Sequence, residues 1–456
     1  MRRVLRQPLG LLAAAFLLPL AGCASYHAHP VNPALSATAL YQRSLSDPRL
    51  HHFLAIEQHS TEPPRWNLAT LALVAIYERP ELPLATARLG VATAGKITAA
   101  ELPNPRLSLS PSYNTTTTTP SPWKVGPVIT FLIQGFGARP AQIAQAKARA
   151  DAARQALAIT AWQLRGEVRS ALLGVWAAQR TMALSAQRFS CAQHYRVAVV
   201  QRYRAGMVSA AARNAARLMQ NRAALQVAAD RRALGLARAN LAAALGLPTS
   251  ALHGVRLDMR GISHPQNPGK LAPFVHAALT RRPDLLAALA RYVAAEAGLR
   301  LAIAQQYPAL DIGPGYRYDQ GANKYILGLS LPLPILNQNQ GPIAAARAKR
   351  RVAAENFMVV QDRILAEIEH ARTDWRASNI ELGSARRLRS AAAKALARQR
   401  RAFVAGQIGE LRLLGARLAY VQAEEATLAA SVHARVALGE LEAALYHPFL
   451  ITNRSQ

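Results

Sequence analysis

Cys23 is the residue whose neighbours specify its chemistry most sharply. The small residues Ala21 and Gly22 precede it, behind an apolar run from Leu9 to Leu20 and a basic start of Arg2, Arg3 and Arg6. That is the order of an export signal ending at a cysteine thiol, a nucleophile that acylation would consume. With Cys23 acylated, Cys191 has no disulfide partner within the chain and reads as a small helix residue rather than a reactive thiol. Nothing else forms a reactive constellation. The histidines are dispersed, no Ser-His-Asp or metal-ligand spacing stands out, and no glycine-rich phosphate loop follows a strand. Met207 and Met219 are too few and too scattered for a soft-metal relay, and His27 with His29 reads as a solvated linker beside the acylated cysteine. No catalysis, cofactor or metal site is expected.

What remains is electrostatic. The 456 residues carry a formal charge of +30, which by itself suggests nucleic acid, but an exported chain does not meet it, and the basic residues lack the aromatic interleaving of a nucleic-acid face. Leu20-Ala21-Gly22-Cys23 resembles the lipobox of bacterial lipoproteins, whose cysteine takes a diacylglycerol, and Ala24 rather than Asp after it points to outer-membrane sorting. No later stretch reaches ~18 uninterrupted apolar residues, so no membrane-spanning helix is expected.

Two alternating segments recur in the chain. Leu107, Leu109, Pro111 and Tyr113 oppose Arg106, Ser108, Ser110 and Ser112; Val125, Pro127, Ile129, Phe131 and Ile133 oppose Lys124, Gly126, Thr130 and Gln134. Later, Leu310, Ile312, Pro314, Tyr316 and Tyr318 oppose Asp311, Gly313, Gly315, Arg317 and Asp319, while Tyr325, Leu327, Leu329 and Leu331 oppose Lys324, Gly328 and Ser330. Segments of about ten residues, apolar on one face and small or polar on the other, are the mark of a transmembrane β-barrel. Four strands cannot close one, because the smallest barrels use about eight; three chains would supply twelve. Arg106, Lys124, Asp311, Arg317 and Lys324 are then lumen-facing. Pro111, Pro127 and Pro314 sit awkwardly inside the strands and call for bulges or interchain edges.

The elements that position these strands are long helices, arranged as a repeat of about 200 residues. Arg79-Pro80-Glu81-Leu82 returns as Arg282-Pro283-Asp284-Leu285, Ala205-Gly206 as Ala405-Gly406, and Leu241 to Leu245 as Leu441 to Leu445. The expected organisation is a signal peptide (1–22), an acylated extended arm (23–66) and a first repeat (67–250) with strands near 104–114 and 122–136 and a helical hairpin over 138–247. A linker (251–270) leads to a second repeat (271–448) with strands near 308–319 and 324–334 and a hairpin over 341–446, before a tail (449–456). The fold class is α+β: a tandem-repeat membrane protein of long helical hairpins plus four strands.

These features together resemble the TolC family of outer-membrane efflux proteins, over nearly the whole mature chain. The more specific words are Leu102-Pro103-Asn104-Pro105, the run from Leu331 to Gly341, and the tips Tyr203 to Gly206 and Phe403 to Gly406. The resemblance implies a homotrimer with a 12-stranded β-barrel in outer-membrane lipid and a 12-helix periplasmic α-barrel. It also implies a passive channel docked on a periplasmic adaptor and an inner-membrane pump, with gating at the tips around Gly206 and Gly406. The run from Leu331 to Gly341 is similar to the branch associated with cation and heavy-metal export, although no residue outside that resemblance points to metal.

The chain departs from the family in charge. Members often carry acidic residues at the periplasmic entrance. Here no Asp or Glu lies between Glu167 and Asp230 or between Glu381 and Glu410, while Arg202, Arg204, Arg213, Arg398, Arg400 and Arg401 crowd the tips. Either this entrance favours anions or docks an acidic adaptor tip, or the arginines cover a solvated outer face. An alternative reading is a periplasmic structural or adaptor lipoprotein of coiled coils with no pore. The lipid-facing alternation of two strand pairs speaks against it.

Overall fold

The structure is a computed structural model that describes residues 25–60, 62–116, 119–265 and 267–449, so Cys23 lies outside the described residues. The chain divides into two units, and the described part of the first, which ends at Ser44, carries helix α1 (Pro33–Gln42). The second unit begins at Leu45 and opens with α2 (Pro48–Gln58). Both helices correct the expectation of an extended arm. Each starts with proline at its first position behind a side-chain cap: Asn32 accepts from the Ala34 and Leu35 amides, and Asp47 from that of Arg49. Helix α2 buries Leu50 and Leu54.

The first repeat contains α3 (Leu68–Glu78), α4 (Glu81–Ala100), the strands β1 (Arg106–Leu109), β2 (Ser112–Tyr113), β3 (Trp123–Val125) and β4 (Pro127–Ile133), then α5 (Ala138–Arg204) and α6 (Ala210–Leu245). A 3₁₀ turn (Thr249–Leu252) and a short α7 (Arg260–Ser263) lead into the second repeat. It contains α8 (Ala272–Arg281), α9 (Pro283–Ala304), β5 (Leu310–Asp319), β6 (Ala322–Ser330), α10 (Gln340–Val404) and α11 (Glu410–Leu445). At ~1.5 Å per residue, the 67 residues of α5 extend roughly 100 Å, far beyond the reach of the 36-residue helix that folds back on it. The remaining length of α5 packs against α4 and α9.

Each repeat has its own core, at equivalent places. In the first, Val168 and Leu172 of α5 meet Leu241 and Leu245 of α6, Leu71 and Val74 of α3, and Leu50 and Leu54 of α2. In the second, Ile364 and Ile368 of α10 meet Leu441 and Leu445 of α11, Leu285 of α9 and Phe449. At ~1.5–3 kcal/mol for each fully buried aliphatic side chain, these clusters are the main anchors of the helix layers.

A repeated ionic clamp ties the short helices to the long ones. Arg282, 7% exposed, pairs with Asp284 at 2.8 Å and Glu367 at 2.9 Å and donates to the Ala444 carbonyl at 2.8 Å. Arg79 does the same with Glu81, with Glu167 at 2.7 Å and with the Ala244 carbonyl at 3.5 Å. The Arg-Pro-acidic motif is therefore a structural staple in both halves: proline opens the helix, and the arginine before it grips the neighbouring helix end.

The strands form one antiparallel sheet. β1 and β4 share one register with β2 and β3, so each pair is a single long ribbon interrupted at Pro111 and Gly126. β3 and β4 both pair with β5, again in a single register, and β5 pairs with β6 along nine residues. The prolines are thus accommodated without a bulge: the ladder drops out locally and resumes in step. At Gly126 the backbones come so close that an added Cβ would lie 2.0 Å from the Tyr316 carbonyl oxygen, which is why this break needs glycine. β6 ends at Ser330, short of the expected 334, because Pro332 and Pro334 have no amide to donate. Gln320 and Gly321, both at positive φ, make the two-residue turn between β5 and β6.

Candidate conduit surfaces

Cross-strand partners share a face, so the register sorts every strand residue to one side of the sheet. One side carries Leu107, Leu109, Tyr113, Trp123, Val125, Ile129, Phe131, Ile133, Tyr316, Tyr325, Leu327 and Leu329, all exposed. Tyr325 is 90% exposed and Leu327 67%, values no water-facing sheet sustains over such an area. The opposite side carries Ser108, Ser112, Thr130, Gly313, Gly328 and Ser330, the aliphatic Val128, Leu132 and Ile326, and the charged residues Arg106, Lys124, Asp311, Arg317 and Lys324.

These five charged residues share a face but do not form one cluster. Arg106 and Asp311 stand toward the end where the chain passes into the helices. Lys124, Arg317 and Lys324 gather at the turn end around Asp319, which the sequence reading had not singled out. Asp319 takes Lys324 at 2.6 Å and Lys124 at 3.4 Å. Arg317 lies directly opposite Lys324 across the β5–β6 ladder.

The two edges of the sheet lack a partner strand among the described residues. β1 and β2 pair only inward, on β4 and β3, and β6 pairs only on β5. Successive strands alternate in direction, so the first and last run antiparallel to one another and suit end-to-end pairing between copies. Beyond the sheet, Phe136, Leu333, Ile335 and Leu336 are exposed in the connections to α5 and α10.

At the other end the two hairpin tips are built alike. α5 ends with Gly206 at φ 71°, whose amide reaches the Tyr203 carbonyl at 3.0 Å, while Met207 reaches that of Arg202 at 2.8 Å. α10 ends with Gly406 at φ 71°, bonded to Phe403 at 3.0 Å, and Gln407 to Ala402 at 2.8 Å. This left-handed glycine closure satisfies the last carbonyls of each helix. The return helices differ: Ser209 caps α6 through its hydroxyl, whereas Gly409 caps α11 with no side chain. Gly409 is where Arg202 rests, its Nη2 2.6 Å from where a Cβ would be.

The tip arginines do not converge. Arg213 lies over the Tyr203 ring at 4.5 Å, and Arg204, Arg398, Arg400 and Arg401 are exposed. An open groove of about 380 Å³ is lined by Ala397, Arg400, Arg401, Val404 and Ala405. Farther from the tip, Arg188 of α5 pairs with Glu425 of α11 at 3.2 Å and joins the two hairpins. Among the described residues, no three His, Cys, Asp or Glu side chains come together as a metal ligand set, and no helix is long and apolar enough to cross a membrane.

Comparison with known proteins agrees with this architecture. The family model described as "Outer membrane efflux protein" matches residues 72–247 and 274–445, once for each repeat. The cobalt-zinc-cadmium resistance protein CzcC of Cupriavidus metallidurans is 26% identical over 225 residues, 49% of this chain and 53% of that protein. The chain thus spans about half the length of the curated relative it matches. Among solved structures, the outer-membrane channel OprN superposes with a TM-score of 0.69 at 19% identity, covering 93% of this chain and 99% of its own. VceC of Vibrio cholerae gives 0.69 at 18%, covering 84% and 96%, and CusC gives 0.68 at 18%, covering 85% and 95%. These likenesses establish the fold, and the model matched through both repeats establishes the family: the chain belongs to the outer membrane efflux proteins.

Proposed function

We propose that three copies of this chain close a twelve-stranded barrel in the outer membrane, continued by a tunnel of twelve long helices in the periplasm. The assembly passively conducts solutes received from an inner-membrane pump through a periplasmic adaptor. The observation that carries this reading is the sheet itself: one face predominantly apolar and largely exposed, the other carrying all the charged strand residues among small ones and a few aliphatics, with both edges open in complementary direction. In lipid every backbone donor and acceptor needs a partner, so these edges require further copies. The helices support the same conclusion. Val352, Val359 and Ile380 of α10, and Leu218 with Leu225 of α6, are exposed at heptad spacings, as residues that pack on a neighbouring protomer would be. Acylation at Cys23 anchors the assembly to the membrane that holds the barrel. Similarity to CzcC supports metals as cargo.

Planar-bilayer recording of the purified mature lipoprotein tests the proposal. Discrete, stepwise conductance is expected. Protein that remains monomeric and gives no conductance would favour the alternative of a pore-less periplasmic coiled-coil lipoprotein.

A further inference from the structure

We infer that the outer mouth of the conduit is an anion-selective ring built from Lys124, Arg317 and Lys324, so the solutes it favours are anionic, including metals held in anionic complexes rather than as bare divalent ions. The inference rests on the conduit reading above and narrows its cargo. The three cations lie on β3, β5 and β6, on the sheet's polar face and at its turn end. One carboxylate stands among them, Asp319, and it is already engaged by both lysines, at 2.6 and 3.4 Å. Arg317 is exposed and has no carboxylate partner among the described residues. Three cations against one carboxylate leave two net positive charges per copy, hence six around a threefold ring.

Lys124 on β3 and Lys324 on β6 flank Arg317 on β5, so a trimer presents six lysines and three arginines around the mouth. Toward the helices the polar face is balanced, with Arg106 and Asp311 one of each sign. The excess is thus concentrated at the mouth, bordered by low-dielectric lipid, where fixed charges focus the field and set ion preference.

Two readings test this on the full mature chain. The first is the reversal potential of the reconstituted channel in a potassium chloride gradient. Chloride should exceed potassium in permeability by at least about threefold, and the Lys124→Gln, Arg317→Gln, Lys324→Gln variant should shift toward cations. The second works even when the tips rest closed, because the mouth opens outward. In a Cys191→Ala background, Ser112→Cys places a thiol beside Lys124 on the polar face. It should react several-fold faster with a sulfonate-bearing methanethiosulfonate than with a trimethylammonium one, and the ratio should collapse when the three cations are neutralised. A trimer that prefers potassium, or a ratio unmoved by neutralisation, overturns the inference and leaves the conduit standing. A monomer without conductance overturns the conduit itself, and the inference with it.

Discussion

Gly439→Ala should destabilise this protein, against the ordinary sign of the substitution. In a helix interior, replacing glycine by alanine is worth ~0.5–1 kcal/mol of added stability. Gly439 lies inside α11, yet a Cβ there would fall 1.9 Å from Nη1 of Arg169. That guanidinium occupies the space beside Gly439. Its Nε sits 3.2 Å from Glu442, its Nη2 donates to the Arg435 carbonyl at 3.1 Å, and Arg165 approaches the same carboxylate at 3.5 Å. Glu442 is 1% exposed and also accepts from the Phe449 amide at 3.2 Å, which seats the end of the described chain on the second core. Burial lowers the Arg169 pKa, so this ion needs its partner.

An alanine methyl would displace Arg169 from both its ion pair with Glu442 and its hydrogen bond to Arg435. Breaking one side of a buried ion pair costs ~3–5 kcal/mol. Arg165 remains on Glu442 and alanine returns its helix propensity, so the net loss should be about 2 kcal/mol. The repeat supplies the internal comparison. In the first half Ala239 stands at the position of Gly439 and Ala242 at that of Glu442, while the second-half counterpart of Arg169 is Glu369. Guanidinium unfolding in detergent, followed by helical circular dichroism, measures the difference, with Gly166→Ala and Gly415→Ala as controls at helix glycines open to 4 Å. The reasoning fails if Gly439→Ala is stabilised as much as the controls.

Gly206→Val and Gly406→Val place a β-branched side chain at φ 71° and should each cost ~1–2 kcal/mol locally, read as a lowered opening barrier of the tips in single-channel records. Tyr446→Gly relieves a left-handed residue at φ 53° but removes the ring stacked 4.6 Å from Trp162; a net loss of ~1 kcal/mol is expected in the same unfolding assay. Burial alone would raise the Asp284 pKa, but the hydrogen bond and charge of Arg282 hold it below the ordinary carboxylate range. Its contribution is therefore complete above that range and lost as pH falls through the depressed value, so Asp284→Asn should flatten the acid limb of the stability profile. Cys23→Ser should abolish incorporation of labelled palmitate, and retained label would place the acyl chain elsewhere.

Period and punctuation made most of the fold legible. The strands announce themselves by alternation, the tips by Ala-Gly at the ends of alanine-rich helices, and the paired cores by apolar spacings repeated across the two halves. The arm's two helices have local signals that the extended reading overlooks, Asn32-Pro33 and Asp47-Pro48, each a cap followed by a first-turn proline. The strand prolines suggested bulges because sequence cannot show that a ladder keeps its register across a gap. Asp319 is not legible as the centre of the outer cationic cluster because Lys124, one of its two ion-pair partners, comes from a strand of the other repeat. The sequence leaves the tip arginines open between an entrance and a solvated face; in the structure Arg202 rests on Gly409, Arg213 on Tyr203, and Arg400 with Arg401 lines one groove.

The oligomeric mass of the mature protein, extracted from outer membranes in mild detergent, tests the central claim most directly. The proposed twelve-stranded barrel draws four strands from each of three copies, so a single species at three times the protomer mass is expected. A stable monomer that keeps its strands would mean the edges find no partner, and the barrel with its tunnel would have to be abandoned.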